Sequence, residues 1–144
     1  MDSRASSRSA RWNLRLAAEF GHRDVTPEVG ALVAGSGVRE GMVVVSLTGS
    51  TGAVTTIEYE EGALADLRRA LDRLAPATGD YAHNARWGDG NGFSHVRSAL
   101  LKTSLAVPVV DGRLQLGTWQ QIVVINLDSR PREREVVAVV VGAD

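Results

Sequence analysis

Three predominantly apolar runs constrain this chain more than any other feature: Met42-Val-Val-Val-Ser-Leu, Gln120-Gln-Ile-Val-Val-Ile-Asn-Leu and Val136-Val-Ala-Val-Val-Val. Each has the length and β-branched content of a strand, and none shows the alternation of a strand with one wet face. They therefore predict strands buried on both sides. Further β-rich segments are Trp12-Asn-Leu-Arg-Leu, Ala53-Val-Thr-Thr-Ile-Glu-Tyr-Glu, Leu105-Ala-Val-Pro-Val and Arg113-Leu-Gln-Leu, with Asp111-Gly112 between the last two as a hairpin turn.

Helical signals are fewer. Glu61 to Leu74 carries an apolar stripe of Leu64, Leu67, Leu71 and Leu74 opposite Asp66, Arg68, Arg69, Asp72 and Arg73. A shorter helix starts with Thr26 as N-cap and Pro27 in the first turn, and ends at Gly35 to Gly37. Ser94 to Lys102 suits a third. Ser129 to Glu135 reads as a polar turn whose arginines, Arg130, Arg132 and Arg134, face water, and His22 as an exposed turn residue. The sum is an α+β domain with a mixed, largely antiparallel sheet of about seven strands and two or three helices. So few helices cannot cover so much apolar strand, and a subunit interface is expected to cover the remainder. Residues 1–10, rich in Ser and Arg, read as a disordered tail, and residues 11–144 as one domain.

A net charge of −1 provides no global field for nucleic acid or an anionic membrane, so neither is an expected partner. The absence of cysteine excludes disulfides, thiolate metal sites and cysteine nucleophiles. No apolar run approaches the ~20 residues of a membrane helix, and the first ten residues lack the apolar stretch of a signal peptide. A soluble cytoplasmic protein is the expectation.

Against this scaffold, residues 80–98 stand apart. They hold His83 and His95, Trp87, and Asn84, Asp89 and Asn91 among three glycines. Binding groups gather on loops held by a rigid frame. A neutral imidazole shuttles protons near pH 7 or ligates a metal, so His83 and His95 are the first candidates for either role. With Asp89 or Glu58 they would form a three-ligand set for a divalent metal ion. The alternative is that each ring bonds a nearby carbonyl. Asp89-Gly-Asn-Gly suits either an anion cradle, with Arg86, Arg97 and Lys102 nearby, or a plain turn built on positive φ. Glu58, after the threonine-rich strand, is either a general base beside an imidazole or an ordinary strand-end acid. Trp119 can stack on a ring with Gln120 bonding its edge, or anchor a core or interface by its area.

Several landmarks recur in a recognisable order: Ser50-Thr51, Thr55-Thr56-Ile57-Glu58, Tyr81-Ala-His83-Asn84, Gly90-Asn-Gly-Phe-Ser-His95, Ser104-Leu-Ala-Val-Pro108 and Gly112-Arg-Leu-Gln-Leu-Gly-Thr-Trp-Gln120. In these the chain resembles the YjbQ family, an uncharacterised family linked to secondary thiamine-phosphate synthase activity. The resemblance implies a homotrimer with sites where subunits meet, and a small phosphorylated metabolite as ligand. It points to transfer between a pyrimidine diphosphate and a thiazole phosphate. His83, His95, Glu58 and Asp89 would then be catalytic, with Asn84, Asn91, Arg97, Ser98, Thr118, Trp119 and Gln120 binding substrate. The alternatives are a metal-dependent hydrolase or other phosphate-handling enzyme, and a non-catalytic binder. Two positions depart from the family's pattern. A histidine is common where this chain has Gly49, and a glycine where it has Lys102.

Overall fold

The apolar runs pair with one another. In the computed structural model, which describes residues 4–144, the order is β1 (Ala5–Leu16), β2 (Gly21–Asp24), α1 (Thr26–Ser36), β3 (Glu40–Leu47), β4 (Gly52–Ile57) and α2 (Glu61–Leu74). Then come α3 (Ala82–Trp87), α4 (Gly92–Leu101), β5 (Ser104–Val110), β6 (Arg113–Leu114), β7 (Gln121–Asn126) and β8 (Arg132–Ala143). The α+β class and antiparallel pairing agree with expectation. The eight strands fall into two sheets instead of one: a five-stranded sheet ordered β1-β8-β3-β5-β6 and a three-stranded sheet ordered β2-β7-β4.

The main core lies between the sheets and α1, where Val43, Val45, Val136, Ala138 and Val140 meet Val54, Ile122 and Val124. A second core lies between the other face of the small sheet and α2, joining Ala53, Val123 and Ile125 to Leu64 and Leu71. The β7 run is therefore buried on both faces, as its unbroken apolar pattern predicts. Within the chain, β3 and β8 are covered on one face only. Met42, Val44, Val139 and Val141 point outward and are 37–47% exposed, while their neighbours along each strand are buried. Met42 pairs with Val141 and Val44 with Val139, so the four form one apolar row.

Several local expectations are also corrected. Residues 5–10 are not a tail: Ala5 to Ala10 pair with Ala143 to Ala138 as the first half of β1. Residues 1–3 of the expected tail lie outside the described residues. Thr26 is the first residue of α1 and not its cap; its N–H donates to Asp24 Oδ1 (2.9 Å), and its hydroxyl accepts the Ile122 N–H (2.8 Å). The α2 range is as expected, but Leu74 is 71% exposed, because the last turn overruns the small sheet. At the β5–β6 turn, Asp111 and Gly112 have φ of 52° and 73°, the paired positive values a two-residue hairpin needs. No helix among the described residues is long and apolar enough to cross a membrane.

A buried polar cluster, which the sequence reading had left in water, holds β8 against the loop before β4. Arg134 is only 6% exposed and donates through Nη2 to Thr51 O (2.9 Å), Thr51 Oγ1 (2.7 Å) and Asn126 Oδ1 (2.7 Å). The Thr51 hydroxyl in turn donates to Asp128 Oδ2 (3.0 Å), and Arg132 Nε donates to the same oxygen (3.0 Å). His22 is likewise no free turn residue. It lies in β2 with Nδ1 3.0 Å from the Tyr59 hydroxyl, and burial holds its pKa below the ordinary value.

Candidate functional site

The organising stretch forms a helical hairpin, α3–turn–α4. Gly88 and Gly90, with φ of 70° and 68°, make the turn. Gly92 permits its closure, since a Cβ there would lie 2.6 Å from the Tyr81 Cβ, and its N–H donates to Asn84 Oδ1 (2.8 Å). Asn91, oriented with its amide nitrogen towards the carboxylate, donates to both oxygens of Asp89 (3.0 and 3.1 Å). Asn84 and Asn91, expected to bind substrate, are thus occupied in closing the turn. The anion cradle is not formed there either: the Asp89 carboxylate occupies the turn, and the Gly92 N–H is already taken.

This closure brings the two imidazoles together. The rings of His83 on α3 and His95 on α4 lie 4.5 Å apart between centroids, tilted by 45°. Asp89 Oδ1 sits 3.2 Å from His83 Nδ1, within ion-pair reach but off the line of a ring N–H, so that buried nitrogen keeps no hydrogen-bond partner. Ser94 Oγ, fully buried one residue before His95, also has none. Neither ring is consumed by a main-chain carbonyl.

Placement of α4 against β4 decides which other candidates can join. Ser98 Oγ donates to Gly52 O (2.5 Å), and the Val54 N–H donates to Lys102 O (3.1 Å). The helix therefore runs along β4 in the same direction, with His95 towards Ser50. Glu58 lies beyond the opposite end, six residues past Gly52 and roughly 20 Å away along extended chain. It cannot assist either imidazole within one subunit. Among the described residues no three His, Cys, Asp or Glu side chains gather as a metal site. The expected three-ligand set is not assembled among the described residues.

Other expected binding residues have structural work. Arg97 is 3% exposed; Nε donates to Ala75 O (2.8 Å), Nη2 to Asp72 Oδ1 (3.0 Å), and the guanidinium lies 4.9 Å above the Phe93 ring. It ties α4 to the end of α2. Gln120 folds back to accept the Gly117 N–H (3.0 Å) and donates to Thr56 Oγ1 (3.3 Å), while the Thr118 carbonyl accepts from Gln121 (3.1 Å). Trp119 anchors no core within the chain, being 73% exposed.

Beside His95 opens a cavity of about 340 Å³ lined by Gly49, Ser50, His95, Ser98, Lys102 and Thr103. A second, of about 310 Å³, lies on the other side of Lys102 and is walled by Val54, Leu105, Val107 and Leu116 with Thr56 and Gln120. The sequence offers Lys102 as a nearby cation and as a departure from the glycine the resemblance expects. What the structure adds is its backbone, which adopts φ 76° and ψ 157°, a region natural to glycine alone. Such a conformation costs about 1–3 kcal/mol in any other residue. Lys102→Gly is therefore expected to raise stability by about 1 kcal/mol after glycine's own entropic cost. Thermal melts check this, and a lower melting point would contradict the strain. Gly49 is also constrained: its φ is 129°, and a Cβ would stand 3.0 Å from Arg134 Nη1, so a side chain at this position would be strained as the chain is folded.

Comparison with known proteins gives one consistent result. The family profile described as UPF0047 protein YjbQ-like matches residues 11–143. A UPF0047 protein of Methanothermobacter thermautotrophicus is 39% identical over 119 residues, 83% of this chain and 81% of its own. One from Archaeoglobus fulgidus is 36% identical over 114 residues, 79% of this chain and 86% of its own. Among solved structures, a hypothetical protein from Aeropyrum pernix K1 superposes with a TM-score of 0.85 at 30% identity, over 94% of this chain and 98% of that one. An uncharacterized conserved protein of the yjbq/upf0047 family from Clostridium acetobutylicum gives 0.83 at 30% identity, over 91% and 98%. A profile match over residues 11–143 and the superposition on solved members over nearly the whole length lead to one assignment: the chain belongs to the YjbQ-like UPF0047 family.

Proposed function

We propose that the His83–His95 pair is an acid–base centre acting on a small phosphorylated metabolite held in the cavity beside it. The observation that carries this is the convergence of two imidazoles, neither bound to a carbonyl, with one ring opening onto a cavity that holds a lysine and hydroxyl groups. In such a pair one neutral imidazole takes the proton of an attacking water or hydroxyl. The other, protonated, returns a proton to the leaving oxygen as its bond to phosphorus breaks. Asp89 Oδ1 lies 3.2 Å from His83 Nδ1, the carboxylate nearest to that ring.

The thiamine-phosphate-synthase-like transfer that the resemblance implies is the second reading. It requires stabilisation of a diphosphate leaving group and a platform for an aromatic ring. Trp119, the expected platform, lines neither cavity at Lys102, so phosphate handling is preferred. His95→Ala and His83→Ala are expected to lower kcat/KM for a phosphate monoester such as p-nitrophenyl phosphate by about 10²–10⁴-fold. No turnover by the natural protein, or equal turnover by His95→Ala, overturns the reading.

The working unit we propose is a homotrimer. Its support is the outward apolar row Met42, Val44, Val139 and Val141, continuous with Ala106 and Pro108 through the β3–β5 pairing. An apolar strip of this kind on a sheet is costly in water and suits contact with another copy. Equilibrium sedimentation at micromolar concentration is expected to return three times the chain mass, and Val44→Lys with Val139→Glu to dissociate it. A monomer throughout refutes the assembly.

A further inference from the structure

We propose that Lys102 is the anion-binding residue of this site, and that the ligand is a phosphate monoester whose phosphate lies beside His95 and whose organic part occupies the second cavity. This rests on the phosphate-handling reading above and names its substrate class.

Three observations carry it. The first is the backbone. Lys102 caps α4 with its N–H donating to Ser98 O (2.9 Å) and its carbonyl accepting from Val54 (3.1 Å), so both sides of its strained peptide are pinned. A side chain held against its own preference, where glycine would relax, marks a position at which the side chain is used. The second is location. Lys102 lines both cavities, the polar one and the apolar one, and so stands at their junction. The third is charge. Neither cavity is lined by a carboxylate, and no ion pair among the described residues engages Lys102. Its ammonium is thus available to an incoming anion.

The chemistry of the walls then sorts the ligand's two ends. Around the first cavity, Ser50 and Thr103 contribute hydroxyls and His95 a ring nitrogen. The Ser98 hydroxyl is already committed to Gly52. Donors of this kind around one lysine suit phosphate oxygens. Across Lys102, Val54, Leu105, Val107 and Leu116 make a wall for an apolar or aromatic body, with the Thr56–Gln120 pair at its edge for hydrogen bonding.

The test measures binding of inorganic phosphate and of phenyl phosphate by calorimetry, using the full chain and the variants Lys102→Gly and Lys102→Gln. The natural protein is expected to bind phenyl phosphate at least about tenfold more tightly than phosphate, the order of one buried small apolar group. Both variants are expected to lose about tenfold or more for each ligand, as for one charge-assisted hydrogen bond. Because Lys102→Gly relieves strain, its melting point shows directly that lost affinity is not lost folding. Unchanged affinity in Lys102→Gly overturns the role of the lysine, and equal affinity for the two ligands overturns the two-cavity ligand. In either case phosphate handling at the imidazole pair survives. Failure of the natural protein to bind either ligand overturns both readings together.

Discussion

Asp128→Ala is expected to destabilise the fold by about 3–5 kcal/mol, the cost of removing one partner from a buried charge network. For a chain of this length that is a fall of about 10–15 °C in melting temperature. Asp128 is 1% exposed, and its carboxylate receives the Thr51 hydroxyl, the Ser129 N–H and the Arg132 guanidinium. Arg134, equally enclosed, is joined to it through Thr51 Oγ1. Without the carboxylate, the Thr51 hydroxyl loses its acceptor beside the buried Arg134 guanidinium, while Arg132, 40% exposed, turns to water. Burial pushes the Asp128 pKa up, but the Thr51 and Ser129 bonds and the Arg132 charge outweigh it and hold the carboxyl below its ordinary value of 3.8. Because the folded pKa is the lower one, this stabilisation is complete above the unfolded value and drains away as pH falls through the folded value. Chemical denaturation of the variant and the natural protein at neutral pH, and again below pH 4, measures both effects. A difference under about 1 kcal/mol at neutral pH would mean that the network carries no net weight.

Phe93→Ala is expected to cost about 3–5 kcal/mol as a large-to-small change at a fully enclosed aromatic. The ring is 2% exposed, lies under the Arg97 guanidinium, and sits two residues before His95 in the first turn of α4. Its loss leaves a void and removes the surface against which Arg97 is held over Ala75 and Asp72. Beyond the fall in the denaturation midpoint, the variant is expected to lose phosphate affinity, because the turn that places His95 loosens. Retained stability with lost affinity, or the reverse, would separate packing from positioning and contradict the coupling.

The fold class was legible because hydrophobic period reports burial. The centre of β7, Ile122 to Ile125, is unbroken apolar sequence and is covered by cores on both sides. The same unbroken pattern in β3 and β8 gives a different outcome, since Met42, Val44, Val139 and Val141 have no cover within the chain. An apolar side chain declares only that it avoids water, not which body will cover it. Arg134 was misread for the converse reason. A charge at every second position resembles a wet hairpin, and only the turn at 127–131 carries that arginine beneath the loop before β4, where Thr51 and Asn126 await it. The candidate site shows the same division. The density of His, Asn, Asp and Gly in residues 80–98 pointed to the correct stretch. Asn84 and Asn91 proved to be closing groups and Arg97 a brace, because a polar side chain serves a turn or a ligand with the same atoms.

By itself, the sequence determined the antiparallel α+β class, the extent of α2, the hairpin at Asp111-Gly112 and the family, since each depends on neighbours along the chain or on order alone. Tertiary structure decided that the sheet is two sheets, that His83 meets His95 while Glu58 is left at the far end of β4, and that Lys102 stands in a glycine's conformation between two cavities. These depend on contacts among residues far apart in sequence, where the direction in which a helix lies along a strand selects which side chains share a space. No local pattern records that direction.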